Sequence, residues 1–283
     1  MPIDKTLSYG ADLVKRYDRD RFLTALFAPN GMREPLMVLY AFNVEIARIR
    51  ETVTEPVIGQ MRLQWWRDTL TNISQGKGAP KGHPVAENLA ALMGSRSLTL
   101  EHFLSLLDER ELDMMDEPPC SMKDLIAYCR GSSVGLSLLA LDVLGVNDAG
   151  SRRAAESVAT AWALTGIARA VRHYALAGRV MLPGDGLKQH GLAVQSLQDP
   201  DTAGPAAALI EEVCDQAQVF LEEARVVQRS INLKALPVLL LATLADRYLA
   251  DIKTAEYQIY DPRLMRQHPA VARLWWNAWR KRY

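Results

Sequence analysis

The chain has 283 residues, 49% of them hydrophobic and 23% charged, enough apolar material for one sizeable core. Its 33 Lys and Arg balance 33 Asp and Glu, so there is no long-range basic field and nucleic-acid binding is excluded as a leading function. Cys120, Cys129 and Cys214 form no close pair, which argues against a disulfide framework or a zinc site and suits a reducing compartment.

Met1 to Gly10 has no apolar signal core and no Arg/Ser-rich transit pattern, so the expectation is a protein outside the secretory route. From there apolar residues recur at spacings of three and four. Leu36, Leu39, Tyr40, Val44 and Ile46 form one such set. Ser74 to Pro84 (SQGKGAPKGHP) is a loop. Thr99, with Glu101 in the first turn, starts a helix whose apolar set is Leu104, Leu107, Leu112 and Met115, stopped at Glu117-Pro118-Pro119. Ser121 before Lys123-Asp124 starts the next. Asn147 to Ser151 reads as a turn, and Pro183 to Gly191 and Gln198 to Pro205 read as loops. Ala235 to Ala245 is the most apolar run, about eleven residues including Pro237, short of the roughly 20 that a bilayer span takes. No strand alternation, internal repeat or long polar linker interrupts this pattern. An all-α single domain over residues 1–283 is expected.

Three stretches carry more than periodicity. Tyr40-Ala41-Phe42 lies in the first. Tyr128-Cys129 and Gly131-Ser132-Ser133-Val134-Gly135 lie in the second. Leu164-Thr165, Ile167, Arg169, Val171, Gly178-Arg179 and Leu182-Pro183 lie in the third. In this order they resemble the motifs of the squalene/phytoene synthase family, over most of the chain. The resemblance implies an isoprenoid-synthase-type helical bundle with a central cavity. It also implies head-to-head prenyl coupling, in which Mg²⁺ held by aspartates on two facing helices neutralises a diphosphate leaving group.

At the family's ligand positions this chain departs. The first motif's carboxylates fall at Ala47, Arg48 and Glu51, and the second motif's at Ala170 and Tyr174; its Asn falls at Gly166. Only Glu51 is acidic, and Glu45, six residues before it, belongs to another helix face. The expectation is a prenyltransferase scaffold that is not an enzyme, with no metal and no cofactor; Mg²⁺ enters only if a working synthase with altered metal handling is the correct reading. Arg48, Glu51, Arg169, Arg172, Tyr174 and Arg179 are the candidate anion or ligand pocket, with guanidinium groups standing in for Mg²⁺. Solvated helix surface is the other reading of those arginines.

One branch of the family departs in the same way: the phytoene-synthase-like assembly factors of respiratory complex I. Ala41 to Glu45 (AFNVE), Ile58 to Trp66 (IGQMRLQWW), His83 to Ala86 (HPVA), Asp108 to Glu111 (DERE) and Trp279 to Tyr283 (WRKRY) resemble that branch. The resemblance implies complex I subunits or assembly intermediates as partners. It implies a cytoplasmic or peripheral inner-membrane location in a bacterium, or the matrix side of mitochondria for a processed eukaryotic chain. A lipid or isoprenoid carrier using the old cavity stays open beside it.

Of Trp65 and Trp66, adjacent on a helix, one is expected inward and one outward, with core packing favoured over a ligand platform. His83, His102, His173, His190 and His268 show no metal-ligand spacing. Ser132-Ser133 reads as small-residue helix packing, and Asp185 between two glycines as a turn. The tail combines Arg263, Arg266, Arg273, Arg280, Lys281 and Arg282 with Trp275, Trp276 and Trp279 and has no acid. It suits either a membrane surface or a terminal helix docked through Trp275 and Trp279.

Overall fold

The computed structural model describes residues 7–115, 117–265 and 270–283. Arg266 and His268 lie outside the described residues, as does the side chain of Arg263. Among the described residues the chain is helical with no strand. In order the helices are α1 (Tyr9–Tyr17), α2 (Arg19–Ala25), α3 (Asn30–Ala47), α4 (Ile49–Thr52), α5 (Pro56–Ser74), α6 (Pro84–Ser95), α7 (Leu100–Leu112), α8 (Met122–Leu144), α9 (Ala149–Leu176), α10 (Gly184–Gln189), α11 (Ala206–Val226), α12 (Leu236–Leu239), α13 (Leu241–Thr254) and α14 (Val271–Trp279).

Contacts divide the chain into two compact units. One comprises Met1–Met115, Gly135–Asp148 and Asn232–Val238. The other comprises Asp116–Val134, Ala149–Ile231 and Leu239–Tyr283.

In the first unit α3 is the central helix, and every residue from Leu36 to Val44 is buried. The burial runs all round because α3 packs against both α1 and α6. Phe42 meets Trp66 of α5 and Phe103 of α7 edge to face, with ring centroids 5.1 and 5.4 Å apart, the favoured aromatic geometry. Ser8 caps α1 by accepting the Ala11 N–H at 3.1 Å, and Asp18 caps α2 in the same way from Arg21. Pro56 and Pro84 open α5 and α6, where a missing N–H costs nothing. Arg67 ties α5 to α7 with bonds of 2.6 Å to both Asp108 and Glu111.

In the second unit α9, 28 residues long, is the spine; at 1.5 Å per residue it runs about 42 Å. Its buried face is rich in alanine, including Ala154, Ala155, Ala161 and Ala168, so α11 and α13 pack closely on it. Ser133 donates to the carbonyl of Ala159 at 3.0 Å, which fits the small-residue packing read for Ser132-Ser133.

The structure changes three local readings. Pro183 to Gly191 is not a plain loop but contains α10. The amides of Gly184 and Asp185 donate to the carbonyls of Pro119 (2.7 Å) and Cys120 (3.0 Å), satisfying N–H groups that a helix start leaves open. Thr99 occupies the cap of α7 without a side-chain hydrogen bond, whereas Ser121 does accept the Asp124 amide at 3.3 Å. α8, at 23 residues, is long and apolar enough to cross a membrane, beyond what the run at Ala235 suggested. Its Leu125, Cys129, Leu136, Leu139 and Leu141 are buried within the protein, the burial of a core helix.

Candidate functional site

α3 ends at Ala47, and the chain bends at Arg48 before α4. This break opens one side of a cleft of about 400 Å³ in the first unit. Glu45, Arg48, Arg62, Trp65, Trp66 and His83 supply its polar and aromatic walls. The Arg48 guanidinium lies 3.6 Å over the Tyr17 ring, a cation–π contact that orients it. Arg62 donates to the Thr52 hydroxyl at 2.9 Å, and that hydroxyl donates to the Arg48 carbonyl at 3.0 Å. The helix break and the second guanidinium are thereby fixed together.

The aromatic wall is equally defined. Trp66 is 3% exposed and belongs to the core, while Trp65 is 36% exposed at the cleft, the inward and outward pair expected. Their rings meet edge to face at 5.0 Å. His83 lies 5.0 Å from Trp65 and 5.3 Å from Trp66. It also caps α6, its Nδ1 accepting the Ala86 amide at 3.3 Å. That bond requires a lone pair on Nδ1, so in the neutral ring the proton is on Nε2. Two guanidinium groups, one carboxylate and an aromatic wall suit an amphipathic ligand with an anionic end. Glu51 is exposed and is not part of the cleft lining; Glu45 is.

A larger hollow of about 630 Å³ in the same unit, around Ser74, Gly78, Gly94 and Arg96, carries less chemistry. Its one charged residue, Arg96, is engaged structurally with the Val143 carbonyl at 3.0 Å.

In the second unit three motif arginines meet tyrosine rings, Arg169 and Arg172 from α9 and Arg179 just beyond its end. Arg169 sits 3.4 Å over Tyr248, and Trp162 flanks the same ring at 6.0 Å. Arg172 sits 4.8 Å over Tyr260, and Arg179 lies 5.8 Å from the Tyr174 ring. Tyr260 is held by donating to the carbonyls of Gln198 (2.6 Å) and Leu197 (3.1 Å). A guanidinium stacked on a ring can present its N–H edge in the ring-parallel plane, the edge that forks onto phosphate or carboxylate. Nε of Arg172 is buried with no hydrogen-bond partner. His173 is exposed. Asp185 accepts its neighbour's amide, Gly186 N–H, at 2.7 Å.

Mg²⁺ binding needs carboxylate oxygens. Positions 47 and 170 are alanine, 48 is arginine and 174 is tyrosine. Among the described residues no group of three or more His, Cys, Asp or Glu could hold a metal ion. The side chains at these positions do not fit a magnesium cluster.

Sequence reasoning reached Arg48 and the α9 arginines through motif spacing. It missed Leu13, Arg62 and His83 as cleft residues. They come from α1, α5 and the start of α6, and no linear pattern joins them.

A model of the squalene/phytoene synthase family matches residues 14–280. NADH dehydrogenase (ubiquinone) complex I, assembly factor 6, of Bos taurus is 30% identical over 276 residues, covering 97% of this chain and 82% of that protein. A phytoene synthase of Mycobacterium tuberculosis is 27% identical over 251 residues, covering 83% of this chain and 78% of that protein. In fold, a crystallised dehydrosqualene synthase in complex with ligand superposes with a TM-score of 0.81 at 20% identity, over 96% of this chain and 94% of that one.

Proposed function

The chain belongs to the squalene/phytoene synthase family, and we propose that within it this protein is a non-catalytic factor in the assembly of respiratory complex I. The observation that carries the reading is the donor deficit. Of the five positions where the family gathers magnesium, only Glu51 is a carboxylate. Ionising an allylic diphosphate releases about three negative charges, and metal ions supply several kcal/mol of stabilisation for them. Ala47, Ala170 and Tyr174 supply none of the needed ligands, and Arg48 repels a cation. The complex I part of the reading is supported by the Bos taurus assembly factor, aligned over 97% of this chain.

On this reading the partners are complex I subunits or their assembly intermediates, and the work is done at the face of the membrane that holds complex I. Arg48, Arg62, Trp65 and His83 bind and orient an anionic, partly apolar group without transforming it. Arg169 and Arg172 of α9 provide further anion donors. The relation to a phytoene synthase at 27% identity favours prenyl transfer as the second reading, and the aromatic, cationic cleft favours a lipid or isoprenoid carrier as the third.

The test is a deletion strain, with assembled complex I measured on native gels and by NADH:quinone activity. Loss of assembly, restored by the gene, is expected. In parallel the purified chain is incubated with Mg²⁺ and labelled farnesyl or geranylgeranyl diphosphate. A coupled prenyl product well above background, with complex I intact in the deletion strain, would replace this reading with the second.

A further inference from the structure

α14 presents its aromatic residues to solvent instead of packing them. Trp275, Trp276 and Trp279 are 60%, 48% and 65% exposed, and Val271 is exposed beside them. The rings cluster into an uneven plate, with Trp276 tilted 38° against Trp279. Trp275 and Trp279 are parallel within 2° at 6.4 Å, and Trp276 lies 5.3 Å from Trp279. The docking of Trp275 and Trp279 that the sequence allowed is therefore not what holds this helix.

Other residues hold it to the second unit. Leu274 is fully buried, and Asn277 donates to the Thr243 hydroxyl at 2.9 Å. The helix then closes with the Arg282 amide on the Asn277 carbonyl and the Lys281 amide on the Ala278 carbonyl. Lys281 takes a left-handed φ of 54°, the geometry of a Schellman stop. That reversal sends Tyr283 into the body, where its hydroxyl donates to the Ala224 carbonyl at 2.7 Å. Its backbone oxygen accepts Nε of Arg225 at 3.3 Å. The plate is thus fixed before anything binds, which lowers the ordering cost of docking.

Arg273, Arg280, Lys281 and Arg282 are exposed around the plate, and residues 270–283 contain no acid. The chain as a whole is neutral, so this is a local cationic patch. Tryptophan has an apolar body and one N–H donor, and it concentrates at the level of lipid headgroups. Cations beside it select an anionic surface. We propose that the exposed face of α14 is a membrane-docking surface for anionic phospholipid headgroups, with the indoles entering the interface and the basic residues meeting the phosphates. The inference does not depend on the assembly role, because lipid binding and complex I assembly are scored separately.

The experiment uses the full chain with vesicles of phosphatidylcholine alone or mixed with phosphatidylglycerol. Co-sedimentation and tryptophan fluorescence are read together. Roughly tenfold or stronger partitioning to the anionic vesicles is expected, with a blue-shifted emission and loss of binding at high salt. The triple substitution W275S/W276S/W279S abolishes the blue shift and most of the binding. R280Q/K281Q/R282Q removes the preference for anionic vesicles. These side chains are exposed, so unchanged melting confirms that each variant is folded. A parent chain that stays in the supernatant with anionic vesicles, or variants that partition as the parent does, would overturn the proposal.

Discussion

The three cysteines show how burial decides chemistry at a single side chain. Cys120 is exposed, whereas Cys129 and Cys214 are buried. Burial pushes the Cys214 thiol up to about 12, and the charges of Asp215 and Glu211 add to the shift. The thiolate is the reactive form, so at pH 8 Cys214 is both covered and protonated. Native alkylation with iodoacetamide at pH 8 is expected to give one adduct by mass spectrometry, and alkylation in denaturant three. Raising the pH to 9 is expected to add no second native adduct, because Cys214 stays protonated there. Two fast native adducts would mean that Cys129 or Cys214 opens readily to solvent. The stacked arginines follow the same logic, since the rings of Tyr17 and Tyr248 hold guanidinium groups that residue type alone would leave as solvated surface.

At the scale of elements, close approach is written in glycine. A Cβ on Gly135 would lie 2.9 Å from the His102 carbonyl oxygen, and backbone cannot step aside as a flexible side chain can. Gly135→Ala is expected to cost about 1–3 kcal/mol in urea unfolding as α7 and α8 are pushed apart. Gly166 in α9 meets nothing within 4 Å, so Gly166→Ala should instead stabilise, by up to about 1 kcal/mol of helix propensity. Equal effects from the two would sink the packing argument. The helical class and most breaks were legible because the signals are local: Pro84 opens α6, Ser121 caps α8, and Gln198 to Pro205 leads into α11. α10 was not, because what stabilises its start is a pair of carbonyls, at Pro119 and Cys120, more than 60 residues away in sequence. Of the apolar set read for α7, Leu104, Leu107, Leu112 and Met115, one residue is fully buried. Leu107 is buried, but Leu112 and Met115 are exposed, and Phe103 and Leu106 do the packing. Spacing of three and four identifies a helix more surely than the face it buries.

For the molecule as a whole, the candidate site was legible only where a motif gives register. Motif register reaches Arg48, but the cleft is also lined by Leu13, Arg62 and His83, which only folding assembles. The consequence of that register can be measured on the intact chain. A ligand that binds only the native state stabilises it by RT ln(1 + [L]/Kd), about 2.7 kcal/mol at a hundredfold excess over Kd. A working magnesium–diphosphate site would therefore give pyrophosphate a melting shift that depends on Mg²⁺. Here the available donors are guanidinium groups, which need no metal to meet a phosphate. We expect pyrophosphate melts of this protein to be the same with and without Mg²⁺. Combining Ala47→Asp, Arg48→Asp, Ala170→Asp and Tyr174→Asp supplies the carboxylates that the motif resemblance implies at these positions and should make the shift magnesium-dependent. Calorimetry on the unaltered chain sets the opposing outcome: magnesium taken up together with pyrophosphate would mean that other carboxylates replace the missing ones, and the assembly reading would lose its physical ground.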